Sequence, residues 1–401
     1  VSILAEAAVR ALPRVEDATS RLAALMQDGA LPLGVRREAL RTLAARGDGA
    51  RRVIALAREG KLAAELKTEA TTTLSTHPDG GVRDEAARVL PLPHAAGGRP
   101  LPPIQELMSR RGDVARGRAV FFKKEQASLM NGSVVSCGSC HRVQGQGAWI
   151  GPDLSTIGTK YGKDELLRSI LNPSAAIGYN FRAQVVATKD GRVLTGLLLE
   201  ESPERIVLKT REGKRVSIAA SEVEERATSD VSLMPEGLAQ NMNDRELVDL
   251  LAFLGSLKQP VSIVGQYLST DPTNDAPAGA AWIAAARRKL VADAEGSVDL
   301  SPLGADPKTS MYLSTPISSP VEQEARLVLD TTCEVEAWLD RKPVAFEPTA
   351  AGAPRAATVR LPKGASALLI RVRGGSRPSL STTIVAAKPV GFETAAATAS
   401  H

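Results

Sequence analysis

The tightest constraint on this chain is a cluster of rare side chains near its middle. The 401 residues include three cysteines and four histidines, and Cys137, Cys140 and His141 lie within five consecutive positions. Positions i, i+3 and i+4 of a helical turn share one face, so we expect the two thiols and the imidazole to point the same way. The fold must therefore present this turn to a group that all three side chains can reach.

Three kinds of site use such a cluster. A zinc site needs about four ligands, and the other histidines and the third cysteine are isolated in the sequence. A redox pair of thioredoxin type is expected before a helix, whereas RVQGQGAWIGPDL is typical of a loop. The pattern C-x-x-C-H is that of covalent haem c attachment. The sequence therefore predicts one haem c, with thioether bonds to Cys137 and Cys140 and with His141 as an axial ligand of the iron. Cys333 is expected to be a free buried cysteine.

A second axial ligand is sought among the six methionines. Met234 lies in SDVSLMPEGL, and a residue before proline is disfavoured in a helix, which suits a loop beside a haem face. Met242 and Met130 are the competing candidates, and any of the three can instead fill a core. We predict that Met234 is the ligand.

Further residues near the cluster are candidates for the haem environment. Pro152 is placed to offer its carbonyl to the Nδ1–H group of His141 and so to orient the imidazole. Trp149 either packs on the porphyrin or is an ordinary loop aromatic. Four basic side chains are expected either to ring an exposed haem edge and attract an acidic partner or to form a solvated face: Arg142, Lys160, Lys163 and Arg168.

Changes in hydrophobic period predict a multidomain α+β chain. Helical patterns dominate the first 90 residues. Three of these helical segments have the same spacing of apolar residues, which predicts helical repeats, and an ordinary helical bundle is the alternative. Alternating runs separated by turns predict a small inserted β-meander or barrel of four strands, and further strand-like runs dominate after residue 258. The predicted parts are HEAT-like α-helical repeats forming an α-solenoid piece (1–92), a linker that packs against little (93–103), a cytochrome c-like helical domain (104–258, with the β insertion at about 181–228) and a β-sandwich of jelly-roll type (259–401).

The overall composition excludes some partners. The formal charge is +5 and aromatic residues make up 3% of the chain, so no basic stripe with interleaved aromatics marks a nucleic-acid interface. No apolar run approaches the roughly 20 residues that span a bilayer. The chain opens with VSILAEAAVRALPRVED, without an initiator Met or a signal-peptide pattern, so we expect a mature product or a piece of a longer chain.

The stretch from about residue 113 to 258 resembles a haem-binding domain of large multidomain proteins from planctomycetes and verrucomicrobia. The matching runs are CGSCHRVQGQGAWIGPDLSTIG, TKDGRVLTGLLLEE, SLMPEGL and DLLAFL. The resemblance implies haem c on Cys137 and Cys140, with His141 and Met234 as axial ligands. In that family helical repeats and a sugar-dehydrogenase-like β-propeller often come first, and residues 1–90 look like the repeats. The runs SMYLSTPI, VEAWLDRKPV and KGASALLIRVRGG resemble a galactose-binding-like domain, for which a structural role and sugar binding both stay open.

These patterns predict an electron-transfer module more than a catalyst. The expected partner is a redox protein or a dehydrogenase domain, with a possible glycan at the C-terminal domain and no nucleic acid. Haem c is attached outside the cytoplasm, which predicts a periplasmic or secreted location. Two alternatives stay open: a peroxidase-like haem enzyme with an open sixth iron position, and a glycan- or protein-binding scaffold.

Overall fold

The computed structural model describes residues 2–12, 17–123, 128–130, 133–273, 288–293, 296–303, 309–349, 354–374 and 378–392. The chain forms two compact units. The first consists of Val1–Cys140, Ile150–Pro152 and Gly158–Ser256, and the second of His141–Trp149, Asp153–Ile157 and Leu257–His401. The domain boundaries expected from the sequence stay a prediction.

The N-terminal part of the first unit is helical, as predicted. Its helices are α1 (Ser2–Ala11), α2 (Ala18–Gln27), α3 (Leu33–Ala44), α4 (Gly47–Arg58), α5 (Lys67–Ser75) and α6 (Gly80–Val89). The apolar residues at helical spacing are buried in one shared core, as Val35, Leu40 and Leu43 of α3 illustrate. Asp79 begins α6 by accepting a hydrogen bond from the Gly81 amide, which satisfies a free N–H group of the first turn. That these helices are HEAT-like repeats stays a prediction.

The segment predicted to be a linker makes a few contacts. Ala95 and Leu101 are buried, and the Ala96 amide donates a hydrogen bond to the Met242 carbonyl. Other residues of the segment, such as Arg99 and Pro100, are exposed. The linker assignment stays a prediction.

The elements that follow flank the cysteine cluster in the sequence. In chain order they are α7 (Ile104–Ser109), α8 (Val114–Phe122), β1 (Ser128–Met130), β2 (Ser133–Val135), β3 (Arg142–Val143), β4 (Gln146–Gly147), α9 (Ile157–Lys160) and α10 (Lys163–Leu171). The last helix of the first unit, α11, spans Asp244–Ser256.

Helices α8 and α11 cross at a glycine. A Cβ atom on Gly117 would lie 1.9 Å from the Asp249 carbonyl oxygen, so no larger residue fits there. Beside this contact the rings of Phe121 and Phe253 meet edge to face, with centroids 5.6 Å apart. Asp249, buried at the same place, accepts hydrogen bonds from the Arg116 guanidinium.

Between α10 and α11 lies an antiparallel sheet of five described strands. They are β5 (Gln184–Thr188), β6 (Val193–Glu201), β7 (Arg205–Lys209), β8 (Arg215–Ala219) and β9 (Val223–Thr228), in the order β8-β7-β6-β5-β9. Val186, Ile206, Leu208 and Ile218 form its small core. The four predicted strands are present as β5 to β8. The fifth strand, β9, was not predicted, because the charged edge strand VEERAT has too few apolar residues to show an alternating pattern.

The C-terminal part of the second unit consists of two antiparallel sheets that share one hydrophobic core. Its strands are β10 (Val261–Ile263), β11 (Gln266–Ser269), β12 (Arg288–Val291), β13 (Ser297–Asp299), β14 (Ser310–Ser319), β15 (Gln323–Thr331), β16 (Glu334–Leu339), β17 (Lys342–Pro343), β18 (Arg355–Leu361), β19 (Gly364–Arg373) and β20 (Ser379–Ala386). One sheet has the order β10-β20-β15-β18, with β13 also on β20, and the other β12-β11-β14-β19-β16-β17.

The core of this sandwich confirms one cysteine prediction. Cys333 is buried among the apolar side chains of both sheets and is in no disulfide bond. The jelly-roll and galactose-binding-like assignments stay predictions. Across the residues that the structure describes, no helix combines the length and the apolar character needed to cross a bilayer.

Candidate haem site

The two clustered cysteines lie on one short turn of the first unit. Cys137–Ser139 form a 3₁₀ turn, and the Cys140 amide donates to the Cys137 carbonyl over 3.1 Å. Residues i and i+3 of such a turn lie one above the other. Gly138 is needed here, since a Cβ atom on it would lie 2.7 Å from the Phe122 ring of α8. The sequence C-G-S-C therefore lets the turn lie directly against the helix.

The chemistry of these thiols does not favour a thiolate. Burial raises the pKa of Cys137 to about 11, and burial also raises the pKa of Cys140. Redox pairs and zinc-binding thiolates have lowered pKa values. Neither cysteine is in a disulfide bond, and among the described residues no three or more His, Cys, Asp or Glu side chains are grouped to hold a metal ion. An uncharged sulfur, as in a thioether, suits this environment.

The chain returns to the turn ten residues after Cys140. The Cys140 carbonyl accepts two hydrogen bonds, from the Ile150 amide at 2.9 Å and from the Gly151 amide at 2.7 Å. Both lone pairs of that carbonyl are thus used. The backbone at the second cysteine is therefore held firmly in the first unit.

In the second unit, His141 is followed by a tight hairpin of β3 and β4. Gln144 and Gly145 at its tip both have positive φ, 49° and 81°, as two-residue hairpin turns require. The Arg142 carbonyl accepts a hydrogen bond from Leu154, and Ser155 Oγ accepts one from the Gln144 amide. The run RVQGQG, expected to be a loop, is thus ordered by its own turn residues.

Arg142 does not belong to a solvent-facing basic ring. It is 1% exposed, and its Nη2 atom donates to Ser381 Oγ and Thr383 Oγ1 of β20, each over 3.0 Å. Its guanidinium lies over the Trp149 ring, 5.1 Å from the centroid. The expectation of an exposed Arg142 is wrong because a planar guanidinium can satisfy several buried acceptors at once.

The other members of the predicted basic ring have local roles. The Lys163 ammonium donates to the carbonyls of Leu107, Met108 and Arg110 at the end of α7. Arg168 donates to Thr76 Oγ1 and pairs with Glu165. Lys160 is exposed and lies over the Tyr161 ring. These side chains stabilise the ends and surfaces of helices.

Two predicted contributors to the haem environment follow the hairpin. Trp149 is half-buried, and its Nε1–H group has no hydrogen-bond partner among the described residues. Pro152 lies in an irregular stretch, next to Asp153, whose Oδ1 accepts from the Ser155 amide. Their roles toward a haem stay predictions.

Met234 lies in an irregular loop of the first unit, as a methionine before proline should. Its amide donates to Ser232 Oγ over 3.1 Å, and the Ser232 amide donates to Ser174 Oγ over 3.1 Å. The Met234 side chain is half-buried, whereas Pro235 is buried. We call residues 230–236 the Met234 loop.

Helix α3 holds the two ends of the Met234 loop. At one end, the Arg37 Nη1 atom donates to the Asp230 carbonyl over 3.2 Å, and the Gly34 amide donates to the Asp230 carboxylate over 3.4 Å. At the other end, Arg37 lies 3.9 Å from the Glu236 carboxylate, which also accepts from Thr68. Burial lowers the pKa of Arg37. Arg37 could not be identified from the sequence, because an arginine on a helix gives no sign of a partner 193 residues away.

The described residues fit a covalent haem by the chemistry of their donors. Cys137 and Cys140 supply two uncharged thiols on one turn, His141 an imidazole, and Met234 a soft neutral sulfur. The unpartnered Trp149 N–H group can donate to a carboxylate such as a porphyrin propionate.

Comparison with solved structures gives weak likenesses. A β-glucosidase from Kluyveromyces marxianus, in complex with glucose, has 11% sequence identity over 31% of this chain and 16% of the enzyme, with a TM-score of 0.22. A selenomethionine-labelled structure of β-glucosidase from the same yeast has 12% identity over 29% and 16%, with a TM-score of 0.21. The alignments span about a sixth of those enzymes and support no argument about this chain. No curated protein matches it.

The family comparison falls on the cysteine cluster. Residues 114–195 match the cytochrome c family, and this stretch runs from the start of α8, through Cys137, Cys140 and His141, into strand β6. The match covers about a fifth of the chain, and it includes the turn whose two half-buried cysteines are in no disulfide bond. It supports a haem-binding cytochrome c domain in this part of the chain.

Proposed function

We propose that the chain is a monohaem c-type cytochrome module that transfers single electrons outside the cytoplasm. It accepts electrons from a dehydrogenase module or a separate redox partner. The observation that carries this proposal is the turn with Cys137 and Cys140, followed directly by His141, with both thiols outside any disulfide, inside the stretch that matches cytochrome c.

Each ligand role rests on the chemistry of one side chain. Cys137 and Cys140 attach the haem by thioethers, which removes two thiols whose charged forms burial already disfavours. His141 and Met234 bind the iron. A bound haem supplies a one-electron couple, and the chain sets its potential through ligand identity and burial. A neutral methionine sulfur favours the reduced iron and so raises the potential.

Two further side chains are proposed to shape the pocket. The Pro152 carbonyl accepts a hydrogen bond from the His141 Nδ1–H group, which fixes the ring orientation and the tautomer. Trp149 packs against the porphyrin, and its unpartnered Nε1–H group donates to a propionate. Removal of the Trp149 N–H group is then expected to change the potential without releasing the haem.

The flanking regions complete the proposal. Residues 1–92 are HEAT-like repeats, and the second unit contains a galactose-binding-like jelly roll. Covalent haem attachment takes place outside the cytoplasm, which assigns the module to the periplasm or to the secreted proteins.

Covalent attachment is tested on the full chain made together with haem c attachment machinery. A haem stain on a denaturing gel and a pyridine haemochrome spectrum are expected to show one haem c per chain. The double variant Cys137→Ala/Cys140→Ala should be colourless on the gel, while Cys333→Ala should retain full staining. A colourless wild-type chain, or pigment that acid acetone extracts, would refute the proposal.

The distal ligand is tested by methionine variants. Met234→Ala should keep the covalent haem but lose the visible sulfur–iron charge-transfer band of the oxidised protein. Met242→Leu and Met130→Leu are matched controls and should retain that band. A spectrum that Met234→Ala leaves unaltered would overturn this ligation and favour an open sixth position, as in a peroxidase-like enzyme.

A further inference from the structure

We propose that Arg142 is a positioning residue for His141, and that strands β15 and β20 of the C-terminal sandwich thereby help to set the properties of the haem iron. The inference rests on the proposed function, since it concerns the orientation of the proposed iron ligand. It adds a role for the C-terminal domain that a separate β-module beside a cytochrome would not have.

The first observation is the burial of a charged side chain directly after the proposed ligand. Arg142 is 1% exposed and heads the largest fully buried side chains of the described residues. Arginine is almost never buried completely unless its charge and N–H groups have partners. A surface loop would not need to bury one at this position.

The second observation is how the Arg142 side chain is held. Nη2 donates to Ser381 Oγ and Thr383 Oγ1, two residues that are themselves 5% and 0% exposed. Both hydroxyls project from β20 on the same side, since they are two residues apart on one strand. The Arg142 guanidinium lies over the Trp149 ring, so side chains near the two ends of the His141–Trp149 segment are in contact.

Charge supports the same arrangement. Asp330 of β15 is largely buried, and burial raises its pKa, while the positive charge of Arg142 acts in the opposite direction. The guanidinium therefore has a carboxyl group nearby as well as its two hydroxyl acceptors. This is how a buried arginine is stabilised without exposure to water.

The third observation is independent of Arg142 and concerns the hairpin tip. A Cβ atom on Gly145 would lie 3.0 Å from Val328 Cγ1 and 3.1 Å from Thr383 Cβ. Val328 belongs to β15 and Thr383 to β20. The hairpin that follows His141 is thus fixed at its first residue and at its tip by the same two strands.

This anchoring acts on His141 through the backbone. Arg142 is bonded directly to His141, and its carbonyl also accepts a hydrogen bond from Leu154. With the main chain and the side chain of residue 142 both fixed, the Cα–Cβ direction of His141 has little freedom. The orientation and basicity of an axial imidazole tune the iron, so loosening Arg142 should change the potential.

The test uses the full haem-loaded chain and three variants. Arg142→Gln removes the positive charge, and Arg142→Lys keeps the charge but lacks the planar guanidinium. The double variant Ser381→Ala/Thr383→Val keeps Arg142 and removes both of its hydroxyl acceptors. Arg326→Gln is the matched control, because Arg326 of β15 makes a two-pronged surface pair with Glu347. The readouts are the midpoint potential, the electron paramagnetic resonance g-values of the oxidised iron and amide exchange of residues 141–149.

Arg142→Gln is expected to shift the reduction equilibrium at least tenfold toward the oxidised state, which is about 59 mV for one electron. Its g-values should change and exchange in residues 141–149 should rise at least tenfold. Ser381→Ala/Thr383→Val should change the potential, the g-values and the amide exchange in the same direction but by less. Arg142→Lys should not return these three readouts to their wild-type values, and Arg326→Gln should match the wild type.

Two results would overturn the inference, and they differ from failure of the proposed function. A haem-loaded Arg142→Gln protein with wild-type potential, g-values and exchange would show that Arg142 does not position His141. If Arg142→Lys and the hydroxyl double variant both have wild-type potential, g-values and exchange, Arg142 acts only through its charge and does not position His141. A wild-type chain without covalent haem would refute the proposed function and this inference with it.

Discussion

The Met234 loop and the His141–Trp149 segment are held by opposite means. The first depends on partly exposed carboxylates of the first unit, since Glu236 pairs with Arg37 of α3 and Asp230 pairs with Arg182, while Arg37 also donates to the Asp230 carbonyl. The second depends on one desolvated arginine, Arg142, that donates to buried hydroxyls within the second unit. In each case an arginine has a partner about 200 residues away along the chain.

The difference indicates how much each loop can move. Ion pairs with exposed members contribute little and tolerate rearrangement, because water can replace either partner. A buried arginine has no such alternative, since breaking its contacts leaves an uncompensated charge. The segment after His141 should therefore be rigid and the Met234 loop adaptable.

The largest effect is expected from paired glycine variants. Gly145 and Gly237 have nearly the same φ, 81° and 80°, in the left-handed region that disfavours any other residue. Gly145 lies against Val328 and Thr383, whereas the nearest atoms to a Cβ on Gly237 belong to the flexible Gln240 side chain at 3.4 Å. Gly145→Ala should cost about 3 kcal/mol of unfolding free energy and Gly237→Ala about 1 kcal/mol.

Urea unfolding followed by circular dichroism measures both costs. Gly191→Ala, at a β-turn with positive φ and open space around it, controls for backbone strain alone. Equal costs for Gly145→Ala and Gly237→Ala would mean that the hairpin tip is not tightly packed, and the contrast between the two regions would fail.

The next effect concerns the buried arginine of the first unit. Arg37 is 4% exposed, but its carboxylate partners are partly solvated, so Arg37→Met should cost about 1–3 kcal/mol. The sulfur–iron band of the haem-loaded protein should also weaken, because the Met234 loop loses its contact to α3. Arg46→Met, at an exposed ion pair, is the control and should change neither. An intact band in Arg37→Met would show that α3 does not fix this loop.

Much of this architecture could be predicted from the sequence. The helices α3 to α6 and the strands of the C-terminal sheets follow from period, turn residues and apolar spacing. Strand β9 was missed because charge masks its pattern.

The candidate site divides in the same way. The turn at Cys137 and the loop at Met234 could be predicted, since both depend on neighbouring residues such as Gly138 and Pro235. The burial of Arg142 could not, because its partners Ser381 and Thr383 are 239 and 241 residues away. Structure that depends on neighbouring residues can be predicted from the sequence, whereas the long-range contacts that orient these side chains depend on the tertiary fold.

A third prediction uses alkaline pH to test the environment of Cys137 in the haem-free protein. The pKa of Cys137 is raised from 9.0 to about 11, so the native state binds more protons than the unfolded state between these values. The stabilisation is complete below pH 9 and is lost as pH rises to 11, by about 1–2 kcal/mol. Urea unfolding from pH 8 to 11 measures it, with Cys137→Ala as the control in which this decline should be absent. An unchanged decline in that variant would contradict the assignment.

Salt should produce the smallest effect and sharpen the contrast most directly. Raising NaCl from about 0.05 M to 1 M shortens the Debye length to about 3 Å and screens exposed ion pairs, but it does not reach desolvated ones. Amide exchange in residues 230–236 should therefore rise about two- to fivefold, while exchange in residues 141–149 stays within error. Mass spectrometry of both peptides in one digest gives an internal control. A salt-dependent increase confined to residues 141–149 would reverse the assignment of the rigid and adaptable segments.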